Sequence, residues 1–131
     1  IDFFSYPVVV LTQNLKGRHV DWCSGATKKE ILNKLAKGEY QSVAFMGHGT
    51  RQRFAAGDVV VSGEDIIKKG IKKKSGELMQ YTCGRKEKGP SLREALLLNP
   101  EKGHSFNRIV TPMECYAYMI YDLLKTVTER K

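Results

Sequence analysis

The sequence predicts a three-layer α/β domain, with a mostly parallel central sheet of about five or six strands and helices on both faces. Three observations carry that reading. Short, continuously apolar or β-branched runs alternate with amphipathic stretches along the whole chain. Capping boxes of the form Ser/Thr-x-x-Glu mark helix starts between them. Two of the apolar runs also end in glycine-flanked residues that can carry chemistry, Gly47-His48-Gly49 and Cys83-Gly84.

The elements follow in order. Val8–Thr12 is apolar and β-branched, as expected of a buried parallel strand. After a polar loop holding Lys16-Gly17-Arg18, Thr27-Lys28-Lys29-Glu30 opens a helix whose stripe is Ile31, Leu32 and Leu35, with Gly38 as its stop. Ser42–Met46 is the next strand, and the resulting β-α-β unit is expected to be right-handed. Thr50–Ser75 reads as an insertion containing a short strand at Val59-Val60-Val61 and a capped helix from Ser62 through Lys69, closed by Gly70. Glu77–Thr82 is a strand leading to Cys83. The polar, basic loop Gly84–Pro90 is expected to be mobile and open to trypsin. Ser91-Leu92-Arg93-Glu94 starts a helix that Asn99-Pro100 ends. Phe106–Val110 reads as a further strand. Thr111-Pro112-Met113-Glu114 opens the longest helix, with an apolar stripe at Met113, Tyr116, Ala117, Ile120, Leu124 and Val127.

Length and composition bound the function. A chain of 131 residues suits one domain spanning 1–131, and its 27% charged and 41% hydrophobic residues describe an ordinary globular protein. No apolar run approaches the roughly 20 residues that span a bilayer, and Ile1–Val10 lacks a signal-peptide pattern. The chain starts at Ile1 and so reads as a processed or excised piece of a longer chain, whose upstream segment could carry function. The net charge is +8, with lysines in short runs at 28–29, 68–69, 72–74 and 86/88. No RNP-like, zinc-finger or helix-turn-helix pattern accompanies them, which favours surface charge or an acidic partner over nucleic acid. Three cysteines (Cys23, Cys83, Cys115) without CxxC spacing argue against a disulfide framework or a zinc site, and for a reducing, cytoplasmic setting. No cofactor or metal is implied.

The two glycine-flanked residues are the candidate chemistry. If Ser42–Met46 and Glu77–Thr82 are neighbouring parallel strands, His48 and Cys83 emerge together at the carboxyl edge of one sheet, where sites gather in open α/β folds. An imidazole can take the thiol's proton, and the thiolate attacks a carbonyl carbon. Glycines beside both would let a substrate backbone approach. Elsewhere the bland readings prevail. Cys115 is core, His104 faces solvent, Cys23 and His19 beside Trp22 are structural or surface residues rather than zinc ligands, and Tyr116, Tyr118 and Tyr121 are packing residues.

A strand, a capped helix, a strand ending in Gly47-His48-Gly49, a hairpin and helix, then Thr82-Cys83-Gly84 resembles the caspase-like cysteine peptidases, and CHAT-type domains most of all, over roughly residues 7–125. The resemblance implies Cys83 as nucleophile, His48 as the imidazole that protonates the leaving amine, and the Gly49 and Cys83 N–H groups as the oxyanion hole. It implies a substrate pocket near Thr12, Gln13, Asn14 and Arg18 and near Thr50 and Arg51, with a protein or peptide as substrate. Two alternatives stand beside it: an inactive caspase-like module that binds another protein, and a small α/β domain that binds an anionic ligand or nucleic acid through its lysines.

Overall fold

The computed structural model describes residues 2–23, 25–38 and 40–129. The chain divides into two compact units, one of residues 1–24 and 111–131 and the other Gly25–Val110.

The first unit is a pair of helices, α1 (Asp2–Leu15) and the long α5 (Pro112–Glu129). Val8–Thr12, expected as a strand, lies inside α1. A β-branched run suits either element, and packing decides between them. Here Val9 and Thr12, on one helical face, are buried, and the Thr12 hydroxyl donates back to the Val8 carbonyl at 2.8 Å. Pro7 lies within the helix and costs one rung of the ladder. On α5 the residues Cys115, Met119 and Thr126 are buried, a spacing that leaves room for Asp122 on the same seam. Asp122 pairs with Lys16 at 3.4 Å. The stripe expected from sequence is the neighbouring one, and Met113, Leu124 and Val127 on it are exposed. The Thr111–Glu114 capping box forms as expected.

The second unit is mixed α/β. Its elements are α2 (Lys28–Lys37), β1 (Ser42–Met46), β2 (His48–Gly49), β3 (Arg53–Ala56), β4 (Val59–Ser62), α3 (Gly63–Lys69), β5 (Glu77–Tyr81), α4 (Leu92–Leu96) and β6 (Gly103–His104). The strands form two sheets. One is parallel with order β1-β5-β6, and the other is the antiparallel meander β2-β3-β4. Three strands therefore make the parallel sheet among the described residues. α2, α3 and α4 open on capping boxes at Thr27/Glu30, Ser62/Asp65 and Ser91/Glu94. At Asp65 burial pushes the carboxyl up, but the Ser62 N–H and hydroxyl and the Lys28 ammonium outweigh it and hold it below the usual range.

One apolar core unites the layers of this unit. Phe45 of β1, Leu78 of β5, Phe54 of β3 and Val61 of β4 meet Leu35, Ile66, Leu92, Ala95 and Leu96 from the three helices. Phe45 and Phe54 stack with centroids 4.9 Å apart, which locks the meander against the parallel sheet. α4 is shorter than expected, because Leu97 leaves the helix as its C-cap and joins Lys74 in a parallel bridge.

Phe106–Val110 is not a strand. Its carbonyls are taken by groups around Cys83 instead of by a ladder: Arg108 accepts from the Gly84 N–H at 2.7 Å, and Asn107 accepts from Arg51 Nη2 at 3.1 Å. The strand beside β5 is the two-residue β6, just upstream. Arg93 holds it in place. Its guanidinium donates to the carbonyls of Leu78 (2.9 Å), His104 (3.2 Å), Lys102 (2.5 Å) and Pro100 (2.6 Å), and to the Gln80 amide oxygen (3.2 Å). Burial lowers its pKa, with the Glu77 carboxylate opposing. Arg93→Ala would leave several of these acceptors short of donors, at a cost of about 2–4 kcal/mol. Arg93→Lys should recover only a fraction, since an ammonium cannot span the same acceptors. Urea midpoints of the three proteins test this, and an unshifted Arg93→Ala midpoint would show that β6 is held by something else.

Candidate active site

β1 and β5 pair in parallel from Ser42↔Glu77 through Met46↔Tyr81, so each β1 residue faces the β5 residue 35 positions later. His48 and Cys83 are separated by the same 35. The ladder runs one step past the strands, with the Gly47 N–H donating to the Tyr81 carbonyl at 3.3 Å. His48 and Cys83 thus occupy equivalent positions just beyond the carboxyl ends of neighbouring strands. There the two chains diverge. β2 turns away to pair with β3 (His48↔Ala55, Gly49↔Phe54), and the chain after Cys83 enters the Gly84–Pro90 loop.

The backbone around the pair has a definite donor pattern. The Thr50 N–H bonds the Arg53 carbonyl at 2.9 Å, which makes Thr50/Arg53 a hydrogen-bonded antiparallel pair. Such pairs alternate, so Gly49 opposite Phe54 is a non-bonded position and its N–H points away from β3. β2 is the outer strand of its sheet. On the other strand the ladder stops before Cys83, whose N–H has no hydrogen-bond partner among the described residues. Both N–H groups assigned to an oxyanion hole are therefore left over by the secondary structure.

The side chains are less committed to each other. His48 is exposed and Cys83 half-buried, and the Cys83 thiol donates to the Val110 carbonyl at 3.4 Å. The slot bounded by Cys83, Arg51, Gln80, Thr82, Ser105 and Phe106 is too tight for a water-sized sphere. A larger groove of about 160 Å³ lies alongside, lined by Gln52, Arg53, Ser62, Glu64, Glu87, Lys88 and Pro90.

The glycines serve a different purpose from the one expected. A Cβ on Gly84 would collide with the Phe106 carbonyl, and one on Gly49, whose φ is +157°, would collide with the Arg53 carbonyl. The space beside both residues is filled by the protein's own backbone, not kept for a substrate. His104 is also half-buried, with its ring edge-to-face on Phe106 at 4.7 Å, where the sequence placed it in solvent.

Of the expected pocket residues, Thr50 and Arg51 lie at the site. Arg51 Nε donates to the Gly84 carbonyl at 2.7 Å and its N–H to the Arg85 carbonyl at 3.0 Å, so it clamps the segment after Cys83. Thr12, Gln13 and Asn14 are on α1, and Arg18 follows in the turn, its Nη1 bonded to Gln13 Oε1 at 3.1 Å. The strand end that was to carry them into a pocket is helix, and the four belong to the other unit.

The Gly84–Pro90 loop, expected to be mobile, is tied down. Glu87 accepts from the Thr50 hydroxyl at 2.5 Å and pairs with Arg53 Nε at 2.9 Å, while its N–H donates to Gln52 Oε1 at 2.7 Å. Sequence reasoning missed Glu87 and Gln52 because nothing local marks a loop carboxylate as an anchor. The Thr50 hydrogen bond, with help from the Arg53 and Arg85 charges and against burial, holds the Glu87 carboxyl below the usual glutamate range. Its folded value is depressed, so the anchor is complete above the ordinary glutamate pKa and is lost as pH falls through the lowered one.

Comparison with protein-family models, with curated proteins and with solved structures found no match.

Glu87→Ala should raise the tryptic cleavage rate at Arg85, Lys86 and Lys88 several-fold at neutral pH. In wild-type protein, the Thr50 and Glu87 amide resonances should keep their neutral positions down to the ordinary glutamate pKa and move below it. Equal digestion of the two proteins would remove Glu87 as the anchor.

Proposed function

We propose that this chain is a cysteine peptidase of the caspase-like, CHAT-related type, hydrolysing peptide bonds through His48 and Cys83. The observation that carries the reading is the β1–β5 pairing, whose constant offset brings a histidine and a cysteine to matching positions at one carboxyl edge. The leftover Gly49 and Cys83 N–H groups support it. On this reading the full fold is the three-layer caspase-like one with a five- or six-stranded sheet, working in a reducing compartment on a protein or peptide substrate.

The chemistry would run as acyl transfer. His48 takes the Cys83 proton, and the thiolate attacks the scissile carbonyl carbon. The oxyanion accepts hydrogen bonds from the Gly49 and Cys83 N–H groups. His48 returns the proton to the departing amine, and water then hydrolyses the thioester. The thiol must first leave the Val110 carbonyl and the slot must widen, steps that a substrate, an upstream segment or a regulatory partner would drive. The larger groove beside the Thr50–Arg53 turn has room for a substrate side chain.

A second reading, an inactive caspase-like module that binds another protein, is favoured by that same Sγ–Val110 bond and by the closed slot.

Activity against a peptide library with basic, acidic and hydrophobic residues before the scissile bond separates the two. Cys83→Ala should leave folding nearly intact and reduce cleavage by several orders of magnitude. His48→Ala should be comparably damaging, while Cys23→Ala should keep activity. Iodoacetamide should modify Cys83 faster than the exposed Cys23, and His48→Ala should slow it. A wild-type protein that cleaves nothing and whose Cys83 reacts no faster than Cys23 would establish the inactive module.

A further inference from the structure

Lysines that read as separate runs in the sequence are gathered by the fold. The Lys28–Asp65 ion pair at 2.9 Å joins the first turns of α2 and α3. Lys74 Nζ donates to the carbonyl of Gly38, the α2 C-cap, at 2.7 Å. The amino ends of α2 and α3 are thus tied together, and Lys74, just past α3, is tied to the carboxyl end of α2, so both carboxyl ends lie toward one end of the unit. That end carries Lys34 and Lys37 of α2, Lys68 and Lys69 of α3, and Lys72 and Lys73 just beyond, all exposed. It adjoins the amino ends of β1 and β5, where the Glu77 N–H meets the Gln41 carbonyl, and so lies opposite the edge that carries Cys83.

Most of this charge is unspent. Among the described residues Lys37, Lys68, Lys69, Lys72 and Lys73 pair with no carboxylate. The stretch from Ile66 to Ser75 contains no acidic residue, and Glu77, the next one, acts on Arg93. Lysines in a last helical turn complement the helix dipole, which accounts for Lys34, Lys37, Lys68 and Lys69 but not for Lys72 and Lys73 beyond it.

We propose that this lysine-lined end binds the phosphate backbone of duplex nucleic acid without reading its sequence. The donor set fits that partner better than others. Ammonium groups meet phosphates as point charges, which positions a duplex without specifying bases. Acidic peptides and guanine edges are usually met by bidentate arginine, and neither residues 28–38 nor residues 63–76 contain one. Single strands need aromatic platforms, and neither residues 28–38 nor residues 63–76 hold an aromatic side chain. A membrane surface needs apolar side chains beside the lysines, and exposed Ile67 next to Lys68 makes lipid vesicles the competing outcome of the test. The net charge of +8 adds long-range attraction.

The test uses the intact protein and a fluorescent DNA duplex of about two turns, roughly 20 bp. Binding should weaken with salt along a log–log slope of about −3 to −4.5, the counterion release of five lysines or slightly fewer. Lys72→Glu/Lys73→Glu should lower affinity at least tenfold at low salt and make the slope shallower by about 2, with an unchanged melting temperature. Lys86→Glu/Lys88→Glu, at the other edge, should bind as wild type does. The proposal is overturned if no duplex binding occurs at about 50 mM salt, or if the Lys72/Lys73 variant binds normally. It is equally overturned if the Lys86/Lys88 variant loses as much, or if the protein sediments with phosphatidylserine vesicles but does not bind the duplex.

Discussion

The parallel pairing of β1 with β5 is the constraint on which the rest of the Gly25–Val110 unit depends. It sets the offset that puts His48 level with Cys83. It also directs Val43, Phe45 and Leu78 onto the face where α2, α3 and α4 supply their apolar residues. Parallel strands need such cover, and helices delivered by crossover connections provide it. The meander is then held twice, covalently through Gly47 and by the stacking of Phe54 on Phe45. On the far side of β5, Arg93 performs the matching task by gathering four carbonyls of β5, β6 and the turn between. A polar side chain is the suitable device there, because β6 has only two residues and little apolar surface to contribute.

The same construction explains why the site is closed. Residues 106–110 pass across the end of β5 and spend their carbonyls on Gly84, Arg51 and the Cys83 thiol. Gly84 is glycine because that strap leaves no space for a Cβ. From the other direction the Thr50–Arg53 turn grips the chain after Cys83 through Arg51, Gln52 and Glu87. Two backbone donors are left over while the Cys83 thiol hydrogen is occupied. On the proposed reading that combination is a resting state released by rearrangement of the strap, and on the second reading it is a scaffold without the reaction.

What the sequence made legible was local or closely paired. The capping boxes at Thr27, Ser91 and Thr111 and the capped helix start at Ser62 all form, because each is decided by four consecutive residues. Ser42–Met46, Val59–Val61 and Glu77–Tyr81 are strands because their neighbours in the sheet are other strands with matching apolar faces. Val8–Thr12 has the same local composition, yet it is helix, and only its tertiary surroundings separate the two outcomes. Phe106–Val110 fails as a strand for a related reason: its backbone partners are side chains and loop amides, which no periodicity announces. The glycines beside His48 and Cys83 read in sequence as room for a substrate, whereas carbonyls of Arg53 and Phe106 fill the space beside Gly49 and Gly84. The reach of Arg93, hidden inside a capping box, and the tie of Lys74 to the Gly38 carbonyl at the end of α2 are products of chain folding alone.

The measurement closest to the central claim is a crystal structure of the unliganded protein that resolves both side chains at the carboxyl edge. A working pair requires the Cys83 sulfur and the nearer His48 ring nitrogen to lie roughly 3.5–6 Å apart, since resting Cys/His pairs are often looser than a formed hydrogen bond. That separation, with both groups facing the Gly49 and Cys83 N–H donors, is the predicted result. A distance beyond about 8 Å, with the imidazole and thiol directed apart, would contradict the dyad.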